Sequence, residues 1–175
     1  LPFINLKSYF KISEQSNLFG WGFKKGKGSK LLNLPNGLKF VPLICYEAIF
    51  SNFLKPSVTD ADFILQITND AWFGKSIGPQ QHLAQLRIRA IEYGLPVIRV
   101  ANTGISAIID ANGKVIDNIS INKSGYLDSF IPSRKHNTIY GLFGDLIFLS
   151  LVLLTMVIAF LNKKIINHRD IRIEN

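Results

Sequence analysis

An uninterrupted apolar run over residues 139–161 constrains the fold of this chain more than any other feature. The run reads IYGLFGDLIFLSLVLLTMVIAFL, and its one charged side chain, Asp145, lies near its beginning. At about 1.5 Å per residue, a helix of this length would extend roughly 34 Å, enough to cross the hydrocarbon core of a bilayer. A helix in the core of a globular domain is usually shorter and less uniformly apolar. The sequence therefore predicts one transmembrane helix over residues 139–161.

The tail that follows this run, residues 162–175, is mainly basic. Its charged and titratable side chains are Lys163, Lys164, His168, Arg169, Asp170, Arg172 and Glu174. Cationic residues that flank a membrane span mark its cytoplasmic side. We therefore expect the tail to be cytoplasmic. Everything before residue 139 is then expected on the opposite face of the membrane, which for a bacterial inner membrane is the periplasm.

The formal net charge of +8 has two physical interpretations. Clustered lysines are typical of proteins that bind nucleic acid, but no nucleic-acid-binding motif accompanies them here, so no nucleic acid partner is predicted. The Gly-rich basic stretch GWGFKKGKGSK, residues 20–30, is either a loop beside anionic lipid or a merely solvated loop. One cysteine and three scattered histidines give no metal-ligand spacing. The sequence therefore predicts neither a metal nor another cofactor.

Before the apolar run, short apolar segments alternate with polar turns and one longer amphipathic segment. Strands are predicted over residues 38–46, 62–68, 96–101, 105–110 and 114–121, with a further one over 125–131. Helices are predicted over residues 47–54 and 80–93, the second opened by Pro79 and closed by Gly94. This order predicts a mixed α/β sheet with helices on one face.

Two details follow from residue types within these elements. The helix over residues 80–93 has an apolar face made of Leu83, Leu86, Ala90 and Ile91. Its polar face carries Arg87, Arg89 and Glu92, which we expect to fix the helix to neighbouring loops through ion pairs. The last two strands are joined at Ala111, Asn112 and Gly113, a turn in which Asn-Gly supplies positive φ angles.

Cys45 is the only cysteine, and it directly follows an apolar strand in the segment FVPLICYEAIF, residues 40–50. A buried strand that ends in a thiol and then a carboxylate, here Glu47, is one way in which α/β enzymes present a nucleophile. Free cysteine is also among the most frequently buried side chains, so a purely structural role is the alternative. The surrounding motifs favour the nucleophile.

Three segments together carry a resemblance to a known family. They are ICYE at residues 44–47, NDAWFGKSIGPQQHLAQLRIRAIEYGLPVIR at residues 69–99, and ANTGISAIIDANGKV at residues 101–115. The chain resembles the carbon–nitrogen hydrolase (nitrilase) superfamily, and within it the membrane-bound N-acyltransferases. The resemblance implies that residues 1–135 form part of that superfamily's domain. The expected fold is α/β, the C-terminal portion of a nitrilase-type α-β-β-α sandwich, followed by one transmembrane helix.

The resemblance also implies site residues. In the superfamily a Cys nucleophile acts with a Glu general base and a Lys that stabilises the oxyanion, and here only Cys45 has a counterpart. The other two are expected on more N-terminal strands that this chain does not contain, so the isolated fragment is predicted to be inactive. Tyr46 and Glu47 match positions that support the nucleophile, although Glu47 could equally open the following helix through its interaction with the helix dipole.

The segment after the second strand supplies the expected substrate cleft. Asn69, Trp72 and Phe73 are the candidates for lining it, with Trp72 and Phe73 as plain core aromatics in the alternative interpretation. His82 is not expected to pair with the thiol, because the resembling enzymes use Glu and Lys. Asn102, Thr103 and Gly104 either border the same cleft or form an ordinary turn.

The resemblance implies a two-step acyl transfer. An acyl chain passes from a phospholipid to the cysteine as a thioester, and then to the N-terminal amino group of a diacylated apolipoprotein. Two alternatives remain open on the residues alone. One is a membrane-anchored amidase or nitrilase in which water resolves the thioester, and the other is a truncated, non-catalytic remnant that binds lipid.

Overall fold

The computed structural model describes residues 28–54, 57–135 and 138–173, and for residue 52 and residues 164–173 it describes the backbone only. The strands are β1 (Leu32–Asn33), β2 (Lys39–Ile44), β3 (Phe63–Asn69), β4 (Val97–Asn102), β5 (Ser106–Ile109) and β6 (Val115–Ile119). The helices are α1 (Ser51–Leu54), α2 (Gly78–Tyr93), α3 (Ile139–Phe143) and α4 (Leu146–Ile173). Two 3₁₀ turns complete the elements: the Cys45 turn (Cys45–Ile49) and the Trp72 turn (Asp70–Phe73). Most of the basic stretch at residues 20–30 and the end of the tail lie outside the described residues.

The six strands form one sheet in chain order. β2, β3 and β4 are parallel, with Phe40 opposite Phe63 and Ile64 opposite Val97. β1 joins β2 antiparallel, and β5 and β6 continue the sheet antiparallel beyond β4. Because parallel neighbours need a crossover connection, α2 runs back between β3 and β4. The predicted mixed α/β sheet is confirmed.

Helix α2 covers one face of the sheet. Pro79 lies in its first turn, and Gly94 ends it with a left-handed φ of 62°, as the Pro and Gly signals predict. Leu86 and Ala90 are fully buried against Val41, Ile64 and Val97. Burial of a side chain the size of Leu86 contributes about 1.5–3 kcal/mol relative to an exposed one, and burial of a single methyl group such as that of Ala90 about 0.8 kcal/mol. This packing fixes α2 on the sheet, and the first turn of α2 lies at the carboxyl ends of β2 and β3, where His82 approaches Cys45 and Asp70.

The predicted faces of α2 need two corrections. Ile91 is 53% exposed, whereas Arg89, expected on the polar face, is buried. Arg89 lies near Glu92, with Nη1 and Oε2 2.7 Å apart but without the alignment of a hydrogen bond. Arg87 does bind a neighbouring loop, because its Nε donates to the carbonyl oxygen of Gly113 at 2.7 Å.

The opposite face of the sheet carries exposed apolar side chains. Ile44, Ile67 and Val100 are adjacent in register on β2, β3 and β4 and are 65%, 56% and 51% exposed. No described element packs over these three side chains. The site edge of the sheet is therefore covered on the α2 side only, within the described residues.

Several predicted boundaries are wrong. The strand predicted over 38–46 ends at Ile44, because Cys45 has a φ of 51° that no strand accommodates. The helix predicted over 47–54 is divided into the Cys45 turn and α1. Residues 125–131 contain no strand, and the sixth strand is instead β1. In the β5–β6 turn only Gly113 has a positive φ, 76°, so Asn112 does not share that role.

The apolar run forms two helices where one was predicted over 139–161. α3 ends at Gly144, whose φ is 57°, and α4 begins at Leu146. Within the described part of the chain, Leu146–Lys163 is the one helical segment long and apolar enough to cross a membrane, and none of it is buried. The helical segment that could span a membrane is therefore shorter than the apolar run over residues 139–161, and it starts after the break at Gly144.

Helix α3 joins the apolar helix to the end of α2. The Thr138 hydroxyl donates to the carbonyl oxygen of Glu92, and the rings of Tyr93 and Tyr140 meet edge to face at 6.0 Å. Burial raises the pKa of the Glu92 carboxyl, which Arg89 partly offsets and Asp145 increases. These contacts tie the start of the apolar helix to the helix that covers the site.

Candidate active site

Cys45 occupies a constrained backbone position at the carboxyl end of β2. Its φ of 51° lies in the left-handed region, which for a residue other than glycine costs about 1–2 kcal/mol. The residue is half-buried and opens a 3₁₀ turn. The side chain of Glu47 reaches back, and its Oε2 accepts a hydrogen bond of 2.8 Å from the backbone N–H of Ile44. Glu47 thus caps the 3₁₀ turn that begins at Cys45, as the helix-opening interpretation expects, and its support of a nucleophile stays a prediction.

The carbonyl oxygen of Cys45 is held from the interior of the domain. Gln66 on β3 donates to it from Nε2 at 2.9 Å, and Nε2 of His82 on α2 lies 3.2 Å from it. Gln66 and His82 also contact each other through their Nε2 atoms at 3.1 Å. The contact of His82 is with the backbone of Cys45, so it gives no support to a Cys–His pair.

A buried ion pair lies directly behind these two side chains. Nη2 of Arg99 on β4 binds Oδ2 of Asp70, and both side chains have no exposed surface. The other carboxylate oxygen of Asp70, Oδ1, is 3.0 Å from Nδ1 of His82 and accepts from the Thr68 hydroxyl at 3.1 Å. Arg99 also donates from Nη1 to Oε1 of Gln66 and from Nε to the carbonyl oxygen of Ile105. We call Gln66, Asp70, His82 and Arg99 the buried network.

The hydrogen bonds of the buried network determine its charge state. Because Oε1 of Gln66 accepts from Arg99, its NH₂ group must face Cys45 and His82. One N–H then donates to Cys45 and the other to Nε2 of His82, which leaves Nδ1 of His82 to donate to Asp70. The result is a neutral imidazole beside one positive and one negative side chain. Burial lowers the pKa of Arg99, and the carboxylate of Asp70 raises it again.

The backbone around Asp70 leaves no spare room. Gly104 lies so close to Asp70 that a Cβ atom there would be 2.7 Å from the Cβ of Asp70. Since Asp70 is held by three side chains, it has no free direction in which to move. A glycine is therefore required at this point after β4. Neither interpretation of residues 102–104 from the sequence, as a border of the cleft or as an ordinary turn, includes this requirement.

The predicted cleft residues are divided between two environments. Phe73 packs against His82 at 5.8 Å, as does Tyr46 at the same distance, and both line a pocket of about 610 Å³. Trp72 is 86% exposed, so the alternative of a core aromatic is wrong for this residue. Asn69 caps the Trp72 turn by accepting from Ala71, and it also accepts from Asn102. The structure therefore brings Tyr46 and Phe73 together beside Cys45 and leaves Trp72 at the surface.

The buried network was largely missed from the sequence. Gln66 and Arg99 are polar residues inside the apolar strands DFILQIT and PVIRVA, at positions that face α2. A polar side chain inside a buried strand is costly unless it is paired, so it is a detectable signal of a buried polar contact. The side-chain partners of Gln66 and Arg99 within the network could not be assigned, because they lie 16 to 33 residues away in the sequence.

The model of one known protein family matches most of this chain. Residues 8–133 match the model of the carbon–nitrogen hydrolase family. The chain belongs to the carbon–nitrogen hydrolase family. The Cys45 turn, the buried network and the β5–β6 hairpin all lie within the matched residues.

Curated relatives of this family share 37–50% sequence identity with the chain. An apolipoprotein N-acyltransferase of Rhizobium rhizogenes is 50% identical over 129 residues, which cover 74% of this chain and 24% of that protein. Apolipoprotein N-acyltransferases of Rickettsia bellii and Sinorhizobium fredii are 45% and 37% identical, covering 85% and 97% of this chain. These alignments cover 30% and 32% of the two relatives. The chain therefore spans about a quarter to a third of the length of these relatives.

One solved structure that is similar to this chain is an amidase from Nesterenkonia sp.. It is 17% identical to this chain, with a TM-score of 0.48. The alignment covers 57% of this chain and 40% of the amidase.

Proposed function

We propose that this chain is the nucleophile-bearing part of an apolipoprotein N-acyltransferase. The observation that carries the proposal is the identity of 37–50% to relatives of that name across most of the chain. The apolar helix α4 supports it, since an enzyme that takes an acyl chain from a phospholipid must work at a membrane. The proposed donor is a phospholipid, and the proposed acceptor is a diacylated apolipoprotein.

The proposed chemistry has two steps that share one thioester. The Cys45 thiolate attacks the ester carbonyl of the phospholipid, so that a C–S bond forms, the ester C–O bond breaks, and the lysophospholipid leaves with a proton. The N-terminal amine of the acceptor then attacks the thioester, so that a C–N bond forms, the C–S bond breaks, and the amine proton returns to the thiolate. Both steps need a proton acceptor, and the family resemblance assigns that role to a Glu outside the described residues.

The described residues contribute placement to this chemistry. The Cys45 turn fixes the thiol at the edge of the sheet, and the Glu47 cap stabilises the turn. Tyr46 and Phe73 line the adjacent pocket, where apolar surface suits an acyl chain. Trp72 and Asn69 are proposed to border the entrance, because Trp72 presents an exposed aromatic ring beside the site.

The topology of the protein is part of the proposal. Residues 1–135 form the partial catalytic domain, the membrane span lies within residues 139–161, and residues 162–175 form the tail. The basic side chains of the tail favour a cytoplasmic location for it and hence a periplasmic catalytic domain at a bacterial inner membrane.

Substitutions at Glu47 separate a capping role from a role as general base. Glu47→Gln keeps a side-chain oxygen that can accept from the N–H of Ile44, so we expect thioester formation within about threefold of the wild-type rate. Glu47→Ala removes the cap and is expected to slow thioester formation by about 10-fold or more, since the turn loses a hydrogen bond worth about 1 kcal/mol and its fixed geometry. The rate is measured by intact mass in the full-length protein. Equal, large losses in both variants would contradict capping and indicate proton transfer by Glu47.

A second candidate function is hydrolysis, because the family is named for carbon–nitrogen hydrolases. The full-length protein is incubated in detergent with phosphatidylethanolamine alone, and then either a diacylated lipopeptide or buffer is added. We expect an acyl adduct that persists in buffer and is discharged onto the lipopeptide amine. An adduct lost equally fast in buffer would indicate hydrolysis, and no adduct on folded protein would favour the non-catalytic lipid-binding alternative.

A further inference from the structure

We propose that the buried network positions the nucleophile, with Arg99 and Asp70 acting through His82 and Gln66 on the carbonyl oxygen of Cys45. This inference deepens the proposed function and rests on it in one respect, the identity of Cys45 as the reacting group. None of the four side chains is a catalytic residue in this proposal, because they contact only the backbone of Cys45.

The first step of the argument is that Cys45 needs external support. A left-handed conformation is unfavourable for cysteine, so the rest of the structure must stabilise it. Because a peptide unit is planar, fixing the carbonyl oxygen of Cys45 fixes the whole peptide unit between Cys45 and Tyr46. Gln66 on β3 donates to that oxygen, and His82 on α2 holds Gln66 in place by accepting its second N–H at Nε2.

The second step is that neither Gln66 nor His82 sets the orientation of its own side chain. The amide of Gln66 could be placed either way round, and Arg99 selects one way by donating to its Oε1. The imidazole of His82 could carry its proton on either nitrogen, and Asp70 selects Nδ1 by accepting from it at 3.0 Å. Because Arg99 also binds Asp70, one buried ion pair orients both Gln66, which donates to Cys45, and His82, which holds Gln66.

The third step concerns burial. Gln66, Asp70, His82 and Arg99 are 0%, 1%, 3% and 1% exposed, and of these four His82 alone lines the pocket beside Tyr46 and Phe73. Four buried polar side chains in a small domain are a costly arrangement, because an apolar core of the same shape would be at least as stable. A role in holding the nucleophile within a fraction of an ångström explains why such a network is useful, since small displacements can lower a rate by about 10²-fold.

The test uses two substitutions of His82 in the full-length protein in detergent. His82→Asn keeps an amide that can donate to Asp70 but is too short to reach Gln66, whereas the side-chain oxygen of His82→Gln can still accept from Nε2 of Gln66. The matched control is Arg89→Met, which removes another buried charged side chain of α2 from a position beside Glu92 and away from Cys45. Gln66→Met, which removes the donor to Cys45 at nearly constant length, provides a second variant if His82→Asn does not fold.

Two rates are measured on protein whose folding is verified by its melting temperature. The first is alkylation of Cys45 by iodoacetamide, followed by mass analysis of the peptide that contains Cys45, and it requires no lipid. The second is thioester formation from phosphatidylethanolamine, with kcat and KM determined separately.

We expect His82→Asn and Gln66→Met to change the alkylation rate at least about fivefold and to lower kcat for thioester formation by about 10²-fold, with KM within threefold. His82→Gln should recover at least about tenfold of that loss. Arg89→Met should lower the melting temperature and leave both rates per folded molecule unchanged. Wild-type rates in folded His82→Asn and Gln66→Met would overturn the positioning role, as would losses that follow melting temperature in all variants alike. If the wild type forms no thioester but alkylation still depends on His82, the positioning role stands and the proposed function fails.

Discussion

Cys45→Ser in the full-length protein is expected to abolish the acyl adduct and to lower N-acyl transfer by at least about 10³-fold. The hydroxyl group of serine ionises far less readily than a thiol, and a carboxylate base strong enough to activate a thiol is too weak to activate a serine hydroxyl at neutral pH. The two side chains have almost the same shape, and the contacts of Cys45 with the buried network use its backbone. The substitution should therefore remove the nucleophile and preserve the turn that presents it.

The measurement combines intact mass with a stability control. Wild-type protein incubated with phosphatidylethanolamine should gain the mass of one acyl chain, and hydroxylamine should release it, as expected for a thioester. Cys45→Ser should show no gain in mass at an unchanged melting temperature. If Cys45→Ser accumulates the same hydroxylamine-labile adduct, the acyl group is attached elsewhere and Cys45 is a structural residue.

The elements that were predictable from the sequence are those with local signals. Helix α2 has Pro79 at its beginning, Gly94 at its end and apolar residues at helical spacing, and its boundaries were predicted within two residues. The strands from β2 to β6 were predictable from apolar runs bounded by turn residues. Local residue chemistry is sufficient in both cases, because the relevant partners are near neighbours in the chain.

Features that depend on distant contacts were not predictable in this way. No local residue type indicates a left-handed Cys45, because the side chains that lie against its carbonyl oxygen, Gln66 and His82, are 21 and 37 residues away. Arg89 was placed on the polar face of α2 by helical spacing, whereas its burial depends on how the rest of the fold packs against that face. The candidate nucleophile could therefore be chosen from sequence, but the side chains that hold it could not.

The break in the apolar run at Gly144 shows the same limit of prediction from sequence for helix α4. Hydropathy treats residues 139–161 as one segment, because it averages over residue types. The break depends on Gly144 adopting a φ of 57° and on the packing of α3 against the end of α2 through Tyr140 and Thr138. Composition predicts that a span exists, and tertiary contacts decide where it begins.

Arg99→Met is expected to produce the largest loss of stability among single substitutions in the buried network, about 3–5 kcal/mol. Methionine fills much of the same volume, so the loss arises from charge. Without Arg99 the carboxylate of Asp70 remains fully buried with only neutral donors, Thr68 and His82, and Gln66 loses the contact that orients its amide. The free energy of unfolding is compared with that of wild type by denaturant titration of the full-length protein in detergent.

Two further variants show whether the loss comes from the buried ion pair. Arg87→Met removes an exposed arginine whose Nε donates to one backbone carbonyl group, and it is expected to cost about 1 kcal/mol or less. The double variant Asp70→Leu with Arg99→Met removes both charges, so it should be less destabilised than the sum of the two single variants by at least about 1 kcal/mol. Additive losses would mean that Asp70 and Arg99 stabilise the domain independently. In that case no single ion pair orients both Gln66 and His82, and the buried network would be a set of separate hydrogen bonds around an ordinary core.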